Sequence, residues 1–300
     1  MIREIISGYS FDRGMPAIRV DRLTDGGVER LYLPVMGGEV ALQRLKARYC
    51  TGHYDLLTLA NAPCPAFAKL EDSRQDQCAD CFRRSGFNPA FYNVSQEQLS
   101  PQQRSYNDEP HDIYVAWFGQ ALLKVGISNR RRTLQRLLEQ GALRASVVAR
   151  VPSAYDARAH ERRIRDRLGM PESIPQKAKV EALRGWAGAP DELPEMEGAL
   201  RAVEALRLEG AAPPFIENLE RWYTGGSPLP PISLTLVDIS AAKPLVAAGR
   251  PMGLVGSLLL FSNAQVGEVG CSLRPFLGHV ARFESALLSI PEGARQARLI

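Results

Sequence analysis

Four cysteines, Cys50, Cys64, Cys78 and Cys81, fall within 32 residues, and the fifth, Cys271, stands far away. The chain opens MIREIISGYSFDRG, where Arg3, Glu4, Asp12 and Arg13 interrupt any apolar core ahead of a cleavage site. Without an export signal, clustered cysteines point to metal rather than to disulfides. QCADCF supplies one tight knuckle in Cys78 and Cys81. Two candidates complete the other half: His53, with Cys50 in CTGH, or Cys64 in APCP, which makes an all-cysteine set with two thirteen-residue gaps. We favour Cys50, Cys64, Cys78 and Cys81, with His53 as the substitute, because four thiolates bind zinc tightly and leave no reactive thiol in the segment. Four protein ligands leave no open position, so the expected Zn²⁺ is structural and folds a segment poor in apolar residues. The alternative is a set of buried, unliganded thiols.

Charge is unevenly spread. The net +4 conceals twelve Lys or Arg against four Asp or Glu between Lys124 and Leu168, so the rest of the chain is net negative. A local excess of this kind suits a polyanion such as nucleic acid, or else a solvated helical face. The longest apolar run, MGLVGSLLLF at 252–261, is about half of what a bilayer-crossing helix requires. The expectation is a cytoplasmic protein with no membrane partner.

Punctuation along the chain predicts five regions: a β-rich segment at 1–49, a zinc-binding segment at 50–94, an α/β core at 111–170, a helical region at 171–224 and a β-rich region at 225–300. The last contains ISLTLVDI and GLVGSLLLFSNAQVGEVGCSLRPF and is placed to pair with 1–49. SQEQLSPQQRSYNDEP, 95–110, is polar throughout and reads as a linker.

Within 111–170 the order is ββαβα. Alternation puts Ile113, Val115 and Trp117 on one face of the first strand and Leu123, Val125 and Ile127 on the same face of the second, through a Gly119-Gln120-Ala121 loop. Tyr114 and Lys124 then share the opposite face, with Gly126 beside the phenol. NRRRTLQRLLEQ starts at Ser128 or Asn129 and carries Leu134, Leu137 and Leu138 inward, with Arg132 and Arg136 on the far side. SAYDARAHERRIRDRL is capped by Ser153 and stopped at Gly169. Its inward stripe of Ala157, Ile164 and Leu168 also contains Glu161. A carboxylate there needs compensation, from a neighbouring arginine or from a bound metal in a functional site.

Tyr114 in DIYV, the KVG at 124–126, Arg136 and Glu161 resemble, in order and layout, the core of GIY-YIG nucleases. The resemblance implies phosphodiester hydrolysis with Tyr114, Arg136 and Glu161 catalytic, the last holding Mg²⁺. It also implies α+β architecture: a small mixed sheet with flanking helices, a zinc-ribbon-like segment and additional β-rich terminal segments. Asp112 stands in place of the family's first glycine and Lys124 in place of its second tyrosine, and a lysine is no phenolic base. HDIYVAWFGQALLKVGISNRRRTLQRLLEQGA, preceded by spaced cysteines, is also similar to the bacterial family catalogued as domain of unknown function 2797. That likeness spans most of 40–170 and implies the architecture and the zinc, without an activity.

Three functions follow. One is a metal-dependent nuclease. Another is a nucleic-acid-binding module of the same fold, contacting phosphates through Lys124, Arg130, Arg131 and Arg132. The last is a regulatory protein whose basic face meets an acidic partner.

Overall fold

The computed structural model describes residues 3–11, 14–71, 75–184, 188, 193–230, 232, 246–263 and 267–283. The chain forms two compact units: Met1–Asp55, Ala60–Ser85 and Arg221–Ile300 in the first, Leu56–Leu59 and Gly86–Glu220 in the second.

The amino-terminal part of the first unit contains β1 (Arg3–Ser10), β2 (Ala17–Thr24), β3 (Gly27–Pro34) and β4 (Val40–Arg48), then a short ribbon of β5 (His53–Asp55) and β6 (Ala60–Ala62), and helix α1 (Ala79–Ser85). The second unit follows with α2 (Pro101–Asn107), β7 (His111–Trp117), β8 (Leu123–Asn129), α3 (Thr133–Gln140), β9 (Arg144–Val151), α4 (Ala154–Leu168), α5 (Gln176–Leu183), α6 (Pro194–Ala205) and β10 (Glu217–Asn218). The chain then returns to the first unit through β11 (Val246–Val255), β12 (Leu258–Asn263), β13 (Gly267–Ser272) and β14 (His279–Phe283).

Strands from both ends interleave in one eight-stranded antiparallel sheet, in the order β13-β12-β11-β4-β14-β1-β2-β3. Its core is built by Ile5, Ile6, Ile18, Val20, Leu42, Leu254, Leu259 and Phe261. Between neighbouring strands β2 and β3, buried Asp21 lies directly opposite Arg30 and accepts from it at 2.8 and 2.9 Å, a cross-strand pair that fixes register. The β-like reading of ISLTLVDI falls largely outside the described residues.

The sheet of the second unit runs β10-β9-β7-β8 and every pairing is antiparallel, so it is not the mixed sheet expected from sequence. The cause is connectivity: each neighbour of β7 is reached by a connection that reverses direction, and no βαβ crossover occurs between paired strands. The hairpin register matches the alternation, with Ile113 opposite Ile127, Tyr114 opposite Gly126 and Val115 opposite Val125. Central strand β7 is buried along its whole length, and α4 packs against β7, β8 and β9.

Two further expectations are corrected. The stretch 95–110 is not a linker: Ser100 caps α2 by accepting from the Gln103 amide, and Pro101 occupies the first turn, where no amide is needed. Gln103 is fully buried because its amide both accepts from the Asn88 N–H at 2.7 Å and donates to the Asn88 carbonyl at 2.8 Å. A polar residue satisfied in this way reads as solvent-facing in sequence. The helical region 171–224 also contains a strand, since β10 pairs Glu217 with Ala145 and Asn218 with Arg144 at the sheet edge.

Candidate functional site

The cysteine segment belongs to the first unit. Cys50 follows β4, Cys64 follows β6, and Cys78 and Cys81 sit at the start of α1. Their four sulfurs lie within 4.8 Å of one another, and His53 is not among them. Cys64 and Cys78 are 3.9 Å apart at sulfur, close to the spacing of about 3.8 Å that a tetrahedron with metal–sulfur bonds of about 2.3 Å requires. The amides of Gly52 and Cys78 donate to the Cys50 sulfur at 3.4 and 3.2 Å, an arrangement that favours thiolate. Burial pushes the Cys50 thiol up to about 11, with the nearby Cys64 adding to it, and burial likewise raises Cys81. Four thiols so close do not ionise together unless a cation joins them, so the donor set fits a divalent metal. All four cysteines are free of disulfides.

The second constellation lies in the second unit. Tyr114 on β7 is 1% exposed, and its hydroxyl accepts from the Gln140 side chain of α3 at 2.8 Å. A Cβ added to Gly126 would lie 2.5 Å from that hydroxyl and 2.6 Å from the ring, so the glycine of KVG is the floor on which the phenol rests. The β7–β9 register shifts between Ile113 and Tyr114, a bulge beside the phenol. Burial raises the Tyr114 pKa; the Arg136 guanidinium and the Gln140 amide oppose this, and Glu161 adds to it. The phenol, Arg136 of α3 and Glu161 of α4 therefore share one electrostatic neighbourhood.

Lys124 is where the pattern put it, on β8 one position from Gly126, but it is buried rather than presented to solvent. Its ammonium donates to the Glu172 carbonyl at 3.0 Å and lies 5.9 Å from the Tyr114 ring centre. Burial, with Arg136 adding to it, lowers its pKa to about 8 against the pull of Glu161 and Glu172. Glu161, 5% exposed, is paired with Arg158 one turn earlier on α4, and Arg158 also reaches Glu172 at 2.9 Å. Burial raises the Glu161 pKa, and Arg158 is the main group opposing it. Of the two compensations open to this carboxylate, the internal arginine is present.

The three arginines after β8 form a 3-10 turn ahead of α3, with Asn129 accepting from the Arg131 amide. Arg131 donates to both Glu109 oxygens at 2.7 Å and Arg132 to both Glu139 oxygens at 2.8 and 2.7 Å. Arg130 and Arg136 are exposed. Sequence reasoning did not single out Gln140, Arg158, Glu172 or the bond from the Thr133 hydroxyl to buried Asp112 at 2.9 Å. Only Arg158 left a signal, its three-residue spacing from an inward acid.

The family profile described as "Protein of unknown function (DUF2797)" matches residues 37–269. No curated protein and no solved structure matches the chain. Among the described residues, no helix is long and apolar enough to cross a membrane.

Proposed function

The chain belongs to the DUF2797 family, and from that premise, which fixes no activity, we propose a nucleic-acid-binding protein with a structural zinc site, whose GIY-YIG-like core serves binding rather than hydrolysis. The observation that carries this is the pairing of Glu161 with Arg158 beside Tyr114, Lys124 and Arg136. The groups expected of a phosphodiester site are neighbours, yet the one acid that would seat a divalent cation is already held by a guanidinium. A Mg²⁺ ion does not fit there unless Arg158 leaves, and separating such a buried pair costs about 3–5 kcal/mol. Lys124 is also withdrawn from any phosphate. Exposed Arg130 and Arg136 remain for backbone contacts, which position a nucleic acid without reading its sequence.

Zinc on Cys50, Cys64, Cys78 and Cys81 would have a structural role. The cluster packs with Leu70, Ala68 and little else apolar, so metal ligation replaces a hydrophobic core for this segment.

The test is incubation with single- and double-stranded DNA and RNA, with Mg²⁺ or Mn²⁺, for the natural chain and for Glu161→Gln. Salt-sensitive binding without cleavage is expected. Divalent-dependent cleavage that vanishes in the variant would restore the nuclease, and absence of binding to every nucleic acid at low salt would overturn the proposal.

A further inference from the structure

The largest concentration of positive charge around a cavity lies outside the core just described. In the first unit a cleft of about 710 Å³ is lined by Arg44, Lys46 and Arg48 of β4, with Lys69, Arg274 and His279 around them. Glu71 is the one acid on its wall. Asp76 pairs with Arg48, and the cleft keeps a surplus of three positive charges after both acids are counted.

Its shape follows from an irregularity in the sheet. His279 of β14 pairs with Arg48 and Ala281 with Arg44, so Leu45, Lys46 and Ala47 stand opposite Val280 alone. Two extra residues on β4 bend the strand and open space beside it. The His279 ring nitrogen Nδ1 lies 3.0 Å from the Leu45 carbonyl and so carries the proton, which pins the bend. Several cations are held rather than left to wander: Arg44 donates to the Pro275 carbonyl at 3.3 Å, and Arg48 is fixed by Asp76. Lys69 is placed by the segment carrying it, which pairs with Tyr49, while the Leu70 amide donates to the Arg48 carbonyl at 2.9 Å. Burial, with Arg44 and Arg48 adding their charge, holds His279 below its ordinary pKa, in keeping with a positive potential.

Like charges gathered this closely repel one another, and holding them in fixed orientations adds entropy cost. An anion with several oxygen acceptors relieves both. We propose that the β4 cleft is a binding site for phosphate groups, taking a ligand that carries at least two of them. Two sources share that chemistry: the backbone of a single-stranded nucleic acid and a free diphosphate. In the first case the cleft deepens the function proposed above and rests on it; in the second it stands alone.

The experiment pairs Lys46→Glu with Arg274→Glu in the full chain, both positions being exposed, and follows a labelled oligothymidylate by anisotropy and pyrophosphate by calorimetry. Circular dichroism and metal content check the fold, and Lys46→Gln with Arg274→Gln supplies a milder change. For a nucleic acid, the double reversal should weaken affinity at least about tenfold and flatten the salt slope by about 2, since each lost phosphate contact removes about 0.9. Arg130→Glu with Arg136→Glu serves as the comparison in the second unit. Pyrophosphate binding that is lost in the cleft variant, without oligonucleotide binding, supports the cleft and removes the nucleic-acid function. Oligonucleotide binding equal in the natural chain and the cleft variant, with no pyrophosphate binding, overturns the cleft and leaves that function standing. Absence of binding to both probes overturns both.

Discussion

Lys124 should make the second unit more stable as the solution becomes alkaline. Its ammonium is buried and its pKa is lowered from the ordinary 10.5 to about 8, burial being the main cause. Below pH 8 the group is charged in folded and unfolded chains alike, and the folded state bears the full penalty. Between pH 8 and 10.5 the unfolded chain binds more protons, so stability rises with pH. The whole rise corresponds to about 3 kcal/mol. Lys124→Met keeps the stem and removes the charge, but leaves the Glu172 carbonyl without its donor, a loss of about 1 kcal/mol. The variant should therefore be more stable by about 2 kcal/mol at pH 7 and less stable by about 1 kcal/mol above pH 10.5. Guanidinium unfolding from pH 7 to 11 measures this, with Trp117 as the sole tryptophan after Trp186→Phe and Trp222→Phe, so that the signal reports the second unit. Tyrosine and cysteine ionisations are common to both proteins and cancel in the difference. A stability difference that stays flat across this range would refute the buried-ammonium account.

Other expectations follow from the same geometry. Elemental analysis of protein prepared without chelators should find about one zinc per chain, and Cys78→Ser should lose it; a metal-free preparation with unchanged proteolytic resistance around 50–85 would remove the site. Gly126→Ala should cost about 1–3 kcal/mol, because its methyl group meets the Tyr114 ring, and the cost should shrink in a Tyr114→Leu background; equal costs in both would show that the phenol is not the obstacle. Arg158→Met should destabilise the second unit by about 3 kcal/mol at pH 7, by leaving the Glu161 carboxylate unpaired. Because burial then acts on Glu161 unopposed by its main partner, that loss should diminish as acid protonates the carboxyl group, which a urea titration from pH 5 to 8 would reveal.

The features legible in sequence are those whose cause is local. The register of β7 and β8 follows from a period of two, the ends of α4 from Ser153 and Gly169, and the cysteine cluster from spacing and the type of its donors. What escaped depends on partners distant along the chain. Helix α2 is concealed by Gln103, whose burial makes sense only once the Asn88 backbone is beside it. Lys124 reads as a surface cation until Glu172, 48 residues later, supplies its acceptor. Strand β4 looks too charged to lie in the middle of a sheet, and it does so because Arg44, Lys46 and Arg48 line a cleft.

The interleaving of early and late strands bears on biosynthesis. Strand β4 finds one neighbour in β11 and another in β14, each about 200 residues further along, whereas every strand pair of the second unit closes within Gly86–Glu220. As the polypeptide emerges from the ribosome, the Tyr114 unit can therefore mature first, while β1 to β4 must wait with open edges for their carboxy-terminal neighbours. A nascent chain stalled near residue 240 should already protect β7 from proteases and leave β4 exposed.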